Sequence, residues 1–338
     1  MSALAALGLA RVAERGRPGV GPWVLAAWAL CPFDAVYSIA LLSESLCAAL
    51  LAASLAAFLY FDGYRRFVIT GVLLGLTTLV RDIHLPLIPV FAAAWLVFGD
   101  GGWRAWRSRL RGSVVLGLCA ALAIAPWTAR NYAVSGKVVP VSSGRLGFSL
   151  WSGAAITSGA QIHDFPDGHR EFDAEVFVSD EERTQVSAAR DLPPKEEDAV
   201  YKRWFQERMR TQPGKVLGRW LVRAPKLWLG TRFDLFDLEP RILPYGSKQW
   251  KLVKVGLFGM NTLYVVAGFA GMALAVWRRW ALGWFAVPIV FTALVYLPLN
   301  SFENRYSMPV YPLLVTLAAI AAHVGWTRWR ERRALRAS

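Results

Sequence analysis

Hydrophobic positions fall in long unbroken runs separated by short charged turns, and one long polar interval breaks the pattern. The runs cover about 22–30, 39–61, 67–80, 87–98 and 113–125, then 252–276, 281–298 and 308–326. Such runs predict membrane helices, since a helix that faces lipid is apolar all round. Residues 127–250 hold no run of membrane length. The expected fold is an all-α polytopic membrane protein with about eight transmembrane helices. Residues 1–126 and 251–338 carry the helices, and 127–250 form an α-rich, mixed domain between the fifth and sixth. Residues 2–10 are too short to span and lead directly into Arg11, Arg15 and Arg17, so they read as the tail end of a helix before a basic turn.

The junction Pro126-Trp127-Thr128-Ala129-Arg130-Asn131-Tyr132 marks the exit from the first helical block. Pro126 is expected to end the helix, and Trp127 and Tyr132 suit a membrane interface. Beyond it lie a Gly/Ser-rich stretch (142–159) and an acidic one (164–182). Residues 195–228 follow with helical periodicity: Val200, Trp204, Phe205 and Met209 form one stripe, Val216, Leu217, Trp220, Leu221 and Leu227 a second. Lys215, Arg219, Arg223 and Lys226 back the second stripe, so this helix could lie on a bilayer surface or pack inside the polar domain.

Charge fixes an orientation. If 11–19 is cytoplasmic and sides alternate at every helix, Arg65-Arg66, Arg104–Arg111, Arg278-Arg279 and the basic tail are all cytoplasmic, and the acidic interval lies outside. The net charge of +14 thus comes from arginines clustered between apolar runs and does not form a nucleic-acid-binding groove. Cys31, Cys47 and Cys119 fall in or beside apolar runs without metal-ligand spacing and read as small buried residues.

The same alternation gathers polar groups on the outer face: Asp34 and Glu44, Arg81-Asp82 with His84, Arg130-Asn131, and Glu303-Asn304-Arg305-Tyr306. Charges at a membrane boundary are costly and point to function. Arg81, Arg130 and Arg305 are candidates to hold a phosphate or pyrophosphate, because a guanidinium offers paired planar donors. The structural alternative pairs Arg81 with Asp82 and Arg305 with Glu303. Glu44 sits about one turn into an apolar helix and must pair or be protonated, while Asp34 after Pro32-Phe33 fits turn chemistry. His84, His163 and His169 lack a third ligand at metal spacing. No Walker loop, GxSxG, HExxH or dinucleotide fingerprint is present. The residues alone therefore describe an outer-face site for an anionic lipid headgroup. A transporter fits less well, since there is no inverted repeat and the charges collect at one face.

Four landmarks resemble, in order and spacing, those of bacterial GT-C glycosyltransferases, relatives of protein O-mannosyltransferases and the lipid A aminoarabinose transferase. They are Pro32 through Leu42-Ser43-Glu44-Ser45-Leu46, the Gly71 to Arg81 helix end, the Pro126 to Tyr132 junction, and Glu303-Asn304-Arg305-Tyr306-Ser307-Met308-Pro309-Val310-Tyr311-Pro312; the Gln212-Pro213-Gly214 segment with the basic helix after it is also similar. The resemblance covers nearly the whole chain. It implies transfer of a sugar from a polyprenyl-phosphate carrier to a periplasmic acceptor (lipid, glycan or protein), and an inner-membrane protein with 127–250 periplasmic and the C-terminus cytoplasmic. Its partners would be that sugar donor and membrane lipids, with no nucleic acid. It also implies a catalytic acid in the first outer loop, often with a divalent metal, magnesium or manganese. No residue here matches that acid, so against the family the chain reads as truncated at its N-terminus. Asp34 and Glu44 are the outer-side carboxylates left as base candidates, and Asp82, His84, Asn131, Glu303 and Tyr306 would support the arginines. The alternative is a non-catalytic polyprenyl-lipid-binding or scaffold protein of the same fold.

Overall fold

A computed structural model describes residues 2–33, 37, 43–101, 103–142, 146–154, 162–164, 170–172, 180–189, 192–230, 247–299 and 304–337. The described chain is helical apart from one antiparallel pair of three-residue strands, β1 (Ile162–Asp164) and β2 (Arg170–Phe172), with Ile162 opposite Phe172. It divides into two compact units. One comprises Met1–Ser142, Trp228–Thr292 and Ser307–Ser338, the other Ser143–Leu227 and Ala293–Tyr306.

The first unit is a helical bundle. It opens with α1 (Ser2–Gly16) and α2 (Gly21–Ala29). Contrary to expectation, α1 continues through Arg11 and Arg15: Leu9, Val12 and Ala13 form a buried stripe while the charged residues stay exposed. The turn that ends it is held by Glu14, whose two carboxylate oxygens accept from the backbone N–H groups of Gly19 (2.8 Å) and Gly21 (2.7 Å). Gly19 sits at φ +86°, where a side chain would be strained.

Two antiparallel helices follow, α3 (Ser43–Tyr60) and α4 (Gly63–Val80). Thr70 Oγ1 donates to Ser54 O (3.3 Å), and Phe58 meets Phe67, Phe91, Trp95 and Trp284 at ring-centroid distances of 4.9–6.3 Å. Next come α5 (Leu87–Phe98) and α6 (Trp106–Ser135). The buried Arg109 caps α5 by donating to Leu96 O and Val97 O, and Ser113 Oγ donates to Ala92 O, so α5 and α6 are antiparallel. In contrast, α4 and α6 run the same way. Gly71 abuts Leu116 O, and a Cβ on Gly75 would come within 2.7 Å of Ala120 O. The Gly-x-x-x-Gly spacing thus serves backbone-to-backbone packing.

Pro126 does not end its helix: α6 passes through it to Ser135 and stops at Gly136, which adopts the left-handed conformation at φ 66°. Proline removes one N–H donor, a loss that membrane helices accommodate.

The bundle closes with α11 (Lys248–Trp277) and α13 (Tyr311–Ala337); α12 (Ala286–Tyr296) lies between them in sequence. Gly268 faces Leu314 and Gly271 faces Leu317, so α11 and α13 are parallel, whereas the chain through α2 runs against α13, with Trp23 on His323 (5.9 Å) and Phe33 on Tyr311 (5.7 Å). Asn261, fully buried, donates to Trp228 O (2.9 Å) and Gly230 O (3.0 Å), so the polar side chain inside α11 is satisfied by backbone carbonyls. Among the described residues, four helical stretches are long and apolar enough to cross a membrane: Ser43–Tyr60, Trp106–Ser135, Lys248–Trp277 and Arg305–Arg336. Of the last, 78% of the apolar window is buried, against 22% for Trp106–Ser135, so α13 is the hub and α6 peripheral. On α6 the exposed side chains Val114, Leu118 and Leu122 recur every fourth residue. Such a stripe would be an aggregation hazard in water and is the normal surface of a helix in lipid.

The second unit is built on α7 (Leu146–Gly153), α8 (Asp180–Ala188), α9 (Pro194–Thr211) and α10 (Pro213–Trp228). Trp151, Val186 and Tyr201 form its core, with Phe148, Trp204 and Phe205 against them. The buried Arg208 donates to Trp151 O (3.2 Å) and lies over the Trp151 ring. The first expected stripe packs inward through Trp204 and Phe205, while the second divides between two faces. One face of α10 packs inside: Val216 and Trp220 join Ala154, and Trp220 Nε1 donates to Gly153 O (2.9 Å). A second face leaves Leu217, Leu221 and Val222 exposed. Arg223 is buried, and burial, reinforced by Arg219, lowers its guanidinium pKa to about 10, so it stays charged at neutral pH.

Candidate functional site

At the end of the bundle where α3 begins and α4 stops, Glu44 and Arg81 form a buried ion pair: Arg81 Nη1 to Glu44 Oε1 is 2.6 Å, with side-chain exposures of 6% for Glu44 and 16% for Arg81. The sequence alternative that paired Arg81 with Asp82 is replaced by this longer-range partner, and Glu44 meets its requirement for a countercharge. Helix ends favour the arrangement. Glu44 occupies the first turn of α3, where the helix dipole stabilises an anion, and Arg81 follows the last residue of α4, where it stabilises a cation. Ser43 Oγ donates to the second Glu44 oxygen at 3.3 Å.

His84 is buried beside the pair. In the tautomer protonated at Nδ1 it donates to Arg81 O (3.3 Å), and Cys47 Sγ lies 3.7 Å from the same nitrogen. Asp82, by contrast, is exposed and accepts a hydrogen bond from Ser142 Oγ. That contact shows what the 126–132 junction does. Trp127 Nε1 donates to Val141 O (2.9 Å), Thr128 Oγ1 to Pro140 O (3.0 Å), and Asn131 Nδ2 to Val139 O and Val141 O (3.0 Å each). One side of the last α6 turns thus binds the returning strap 138–142 and sets Ser142 on Asp82. Asn131 is spent on that strap. Arg130 points elsewhere: it is exposed, its guanidinium 4.9 Å from the Trp127 ring centre. Because α4 and α6 are parallel, Arg81 and Arg130 lie at the same end of the helical unit.

Arg305 belongs to the second unit, where it donates to Tyr306 OH (2.9 Å) and lies 4.8 Å from that ring's centre. Asp34 and Glu303 fall outside the described residues. Among the described residues no group of three or more His, Cys, Asp or Glu is placed to hold a metal ion. Cys47 and Ser142 are members of this neighbourhood that the charge pattern does not bring forward. For Ser142 a signal exists: Val138-Val139-Pro140-Val141 directly after Gly136-Lys137 is an extended apolar segment behind a turn.

Fold and site together define a helical membrane protein with a charged cluster, partly buried, at one end of its bundle. No family model, no curated protein and no solved structure matches the chain.

Proposed function

We propose that the chain is a GT-C-like glycosyltransferase that takes a sugar from a polyprenyl-phosphate carrier and delivers it to a periplasmic acceptor. In this reading it crosses a bacterial inner membrane about eight times, with 127–250 periplasmic and the C-terminus cytoplasmic. The observation that carries it is the placement of Arg130, exposed over Trp127 at the bundle end that also holds Glu44–Arg81 and Asp82. An exposed guanidinium on an aromatic plate at a membrane boundary suits a phosphate that arrives from within the bilayer. Arg81, neutralised by Glu44, then acts as a rigid backdrop that adds field without being consumed. Among the described residues Asp82 is an exposed carboxylate at that end, held in place by Ser142, so it joins Asp34 as a base candidate for the acceptor hydroxyl.

Reconstituted protein supplied with a radiolabelled polyprenyl-phosphate sugar and an envelope extract tests this. Arg130→Ala should cut transfer at least tenfold with unchanged expression and folding; full activity would exclude the role. The non-catalytic carrier-binding reading is favoured by one observation, the engagement of Glu44 with Arg81, which removes a base candidate. It predicts saturable carrier binding that Arg130→Ala weakens, with no product from the unmutated protein under any acceptor mixture.

A further inference from the structure

At the opposite end of the same bundle lies a second feature, independent of any glycosyl transfer. A cavity of about 460 Å³ opens between α1, α3 and α4. Gly8, Ala53 and Ala56 line it together with Leu4, Ile69 and Leu73, and none of these offers a polar side-chain atom. The size is that of an ordinary ligand pocket, about 300–1,000 Å³. Among its lining residues Arg11 is the charged one, and Tyr60 stands beside it at the mouth. Two other arginines near this end are engaged. Arg15 donates to Tyr60 O (2.7 Å), and both Arg15 and Arg66 approach Asp62 to 3.7 Å. Arg11 is exposed and has no ion-pair partner among the described residues.

We propose that this trough seats one acyl chain of an anionic phospholipid, with its phosphate on Arg11. The shape asks for a long apolar occupant with no hydrogen-bonding needs, and the mouth asks for one negative charge at its end. A phospholipid satisfies both, and the basic turns at this end of the bundle match the negative surface of a cytoplasmic leaflet.

Native mass spectrometry of the full chain with dioleoyl phosphatidylglycerol or dioleoyl phosphatidylcholine tests the proposal. The unmutated protein should retain the anionic lipid about fivefold better, the factor implied by ~1 kcal/mol per basic residue near a membrane surface. Arg11→Gln, at an exposed position, should erase that preference while still binding both lipids weakly, and Ala53→Phe should expel both. Equal retention of the two lipids by the unmutated protein, or a preference untouched by Arg11→Gln, overturns it. So does a disulfide-linked dimer formed by Ala53→Cys in lipid, which would put a second copy in the trough. Arg11→Gln carries the decision alone if Ala53→Phe does not fold.

Discussion

Glu44 and Arg81 are each placed at the helix terminus that favours their charge, yet both are taken out of water. Breaking such a pair from one side leaves an uncompensated buried charge, which costs about 3–5 kcal/mol, whereas replacing both partners with apolar residues of similar volume is often neutral. Arg81→Met alone and Glu44→Leu alone should therefore lower the unfolding temperature in detergent sharply, and the double variant should recover most of the loss. If instead the singles unfold like the parent, the pair is held by something other than burial, and a direct role for Arg81 in ligand binding gains ground. Glu14 makes a pH prediction. The Gly19 and then the Gly21 backbone N–H groups hold its carboxyl below the usual carboxylate range. A depressed folded-state pKa means stability that is present above the unfolded carboxylate pKa and lost as pH falls through the folded value. Glu14→Gln should lower stability at neutral pH and flatten that acid limb, so that variant and parent converge at low pH.

Between elements, glycine separates packing from spacing. Gly75 touches α6 backbone, so Gly75→Ala should cost about 1–3 kcal/mol through overpacking. At Gly117 on α6 an added Cβ would meet nothing within 4 Å, so Gly117→Ala should be neutral or stabilise by about 0.5–1 kcal/mol. Thermal melts of the two variants side by side decide it; equal effects would mean that α4 and α6 are not in close contact. The strap 138–142 offers a second test. Asn131→Ala removes two bonds to it, each worth about 1 kcal/mol net, and should speed proteolysis and amide exchange around Lys137 without melting the bundle.

These contrasts show what is legible in the sequence. The apolar period marks helix existence well, and the starts of α2 and α5 fall within a residue of the expected 22 and 87. Helix ends are harder, because they depend on partners remote in sequence. Pro126 reads as a stop, but the helix passes through it and runs to a glycine in the left-handed region. Likewise Arg81 beside Asp82 reads as a local pair, and only the antiparallel packing of α3 on α4 reveals Glu44 as its partner. Asn131 carries a family-like motif, yet its amide is used to hold its own chain.

Within the bundle, helix directions give a test of how the chain crosses the membrane. Helices α4 and α6 run together and α3 and α5 run against them; α11 and α13 run together and the chain through α2 runs against α13. This is the sense expected if each short basic turn returns the chain to one side. It assigns the strap 138–142, Asp82 and Arg130 to one surface, and Arg104, Arg278 and the tail to the other. In a variant with Cys31, Cys47 and Cys119 replaced by alanine, a cysteine at Lys137 should react with a membrane-impermeant maleimide on intact spheroplasts. Cysteines at Arg104, Arg278 or Arg332 should react only after permeabilisation. Labelling of Lys137→Cys and Arg104→Cys from the same side would break the alternation within α6 itself. The charged cluster would then no longer face the compartment in which a carrier-linked sugar is offered, and the glycosyl-transfer reading would fall with it.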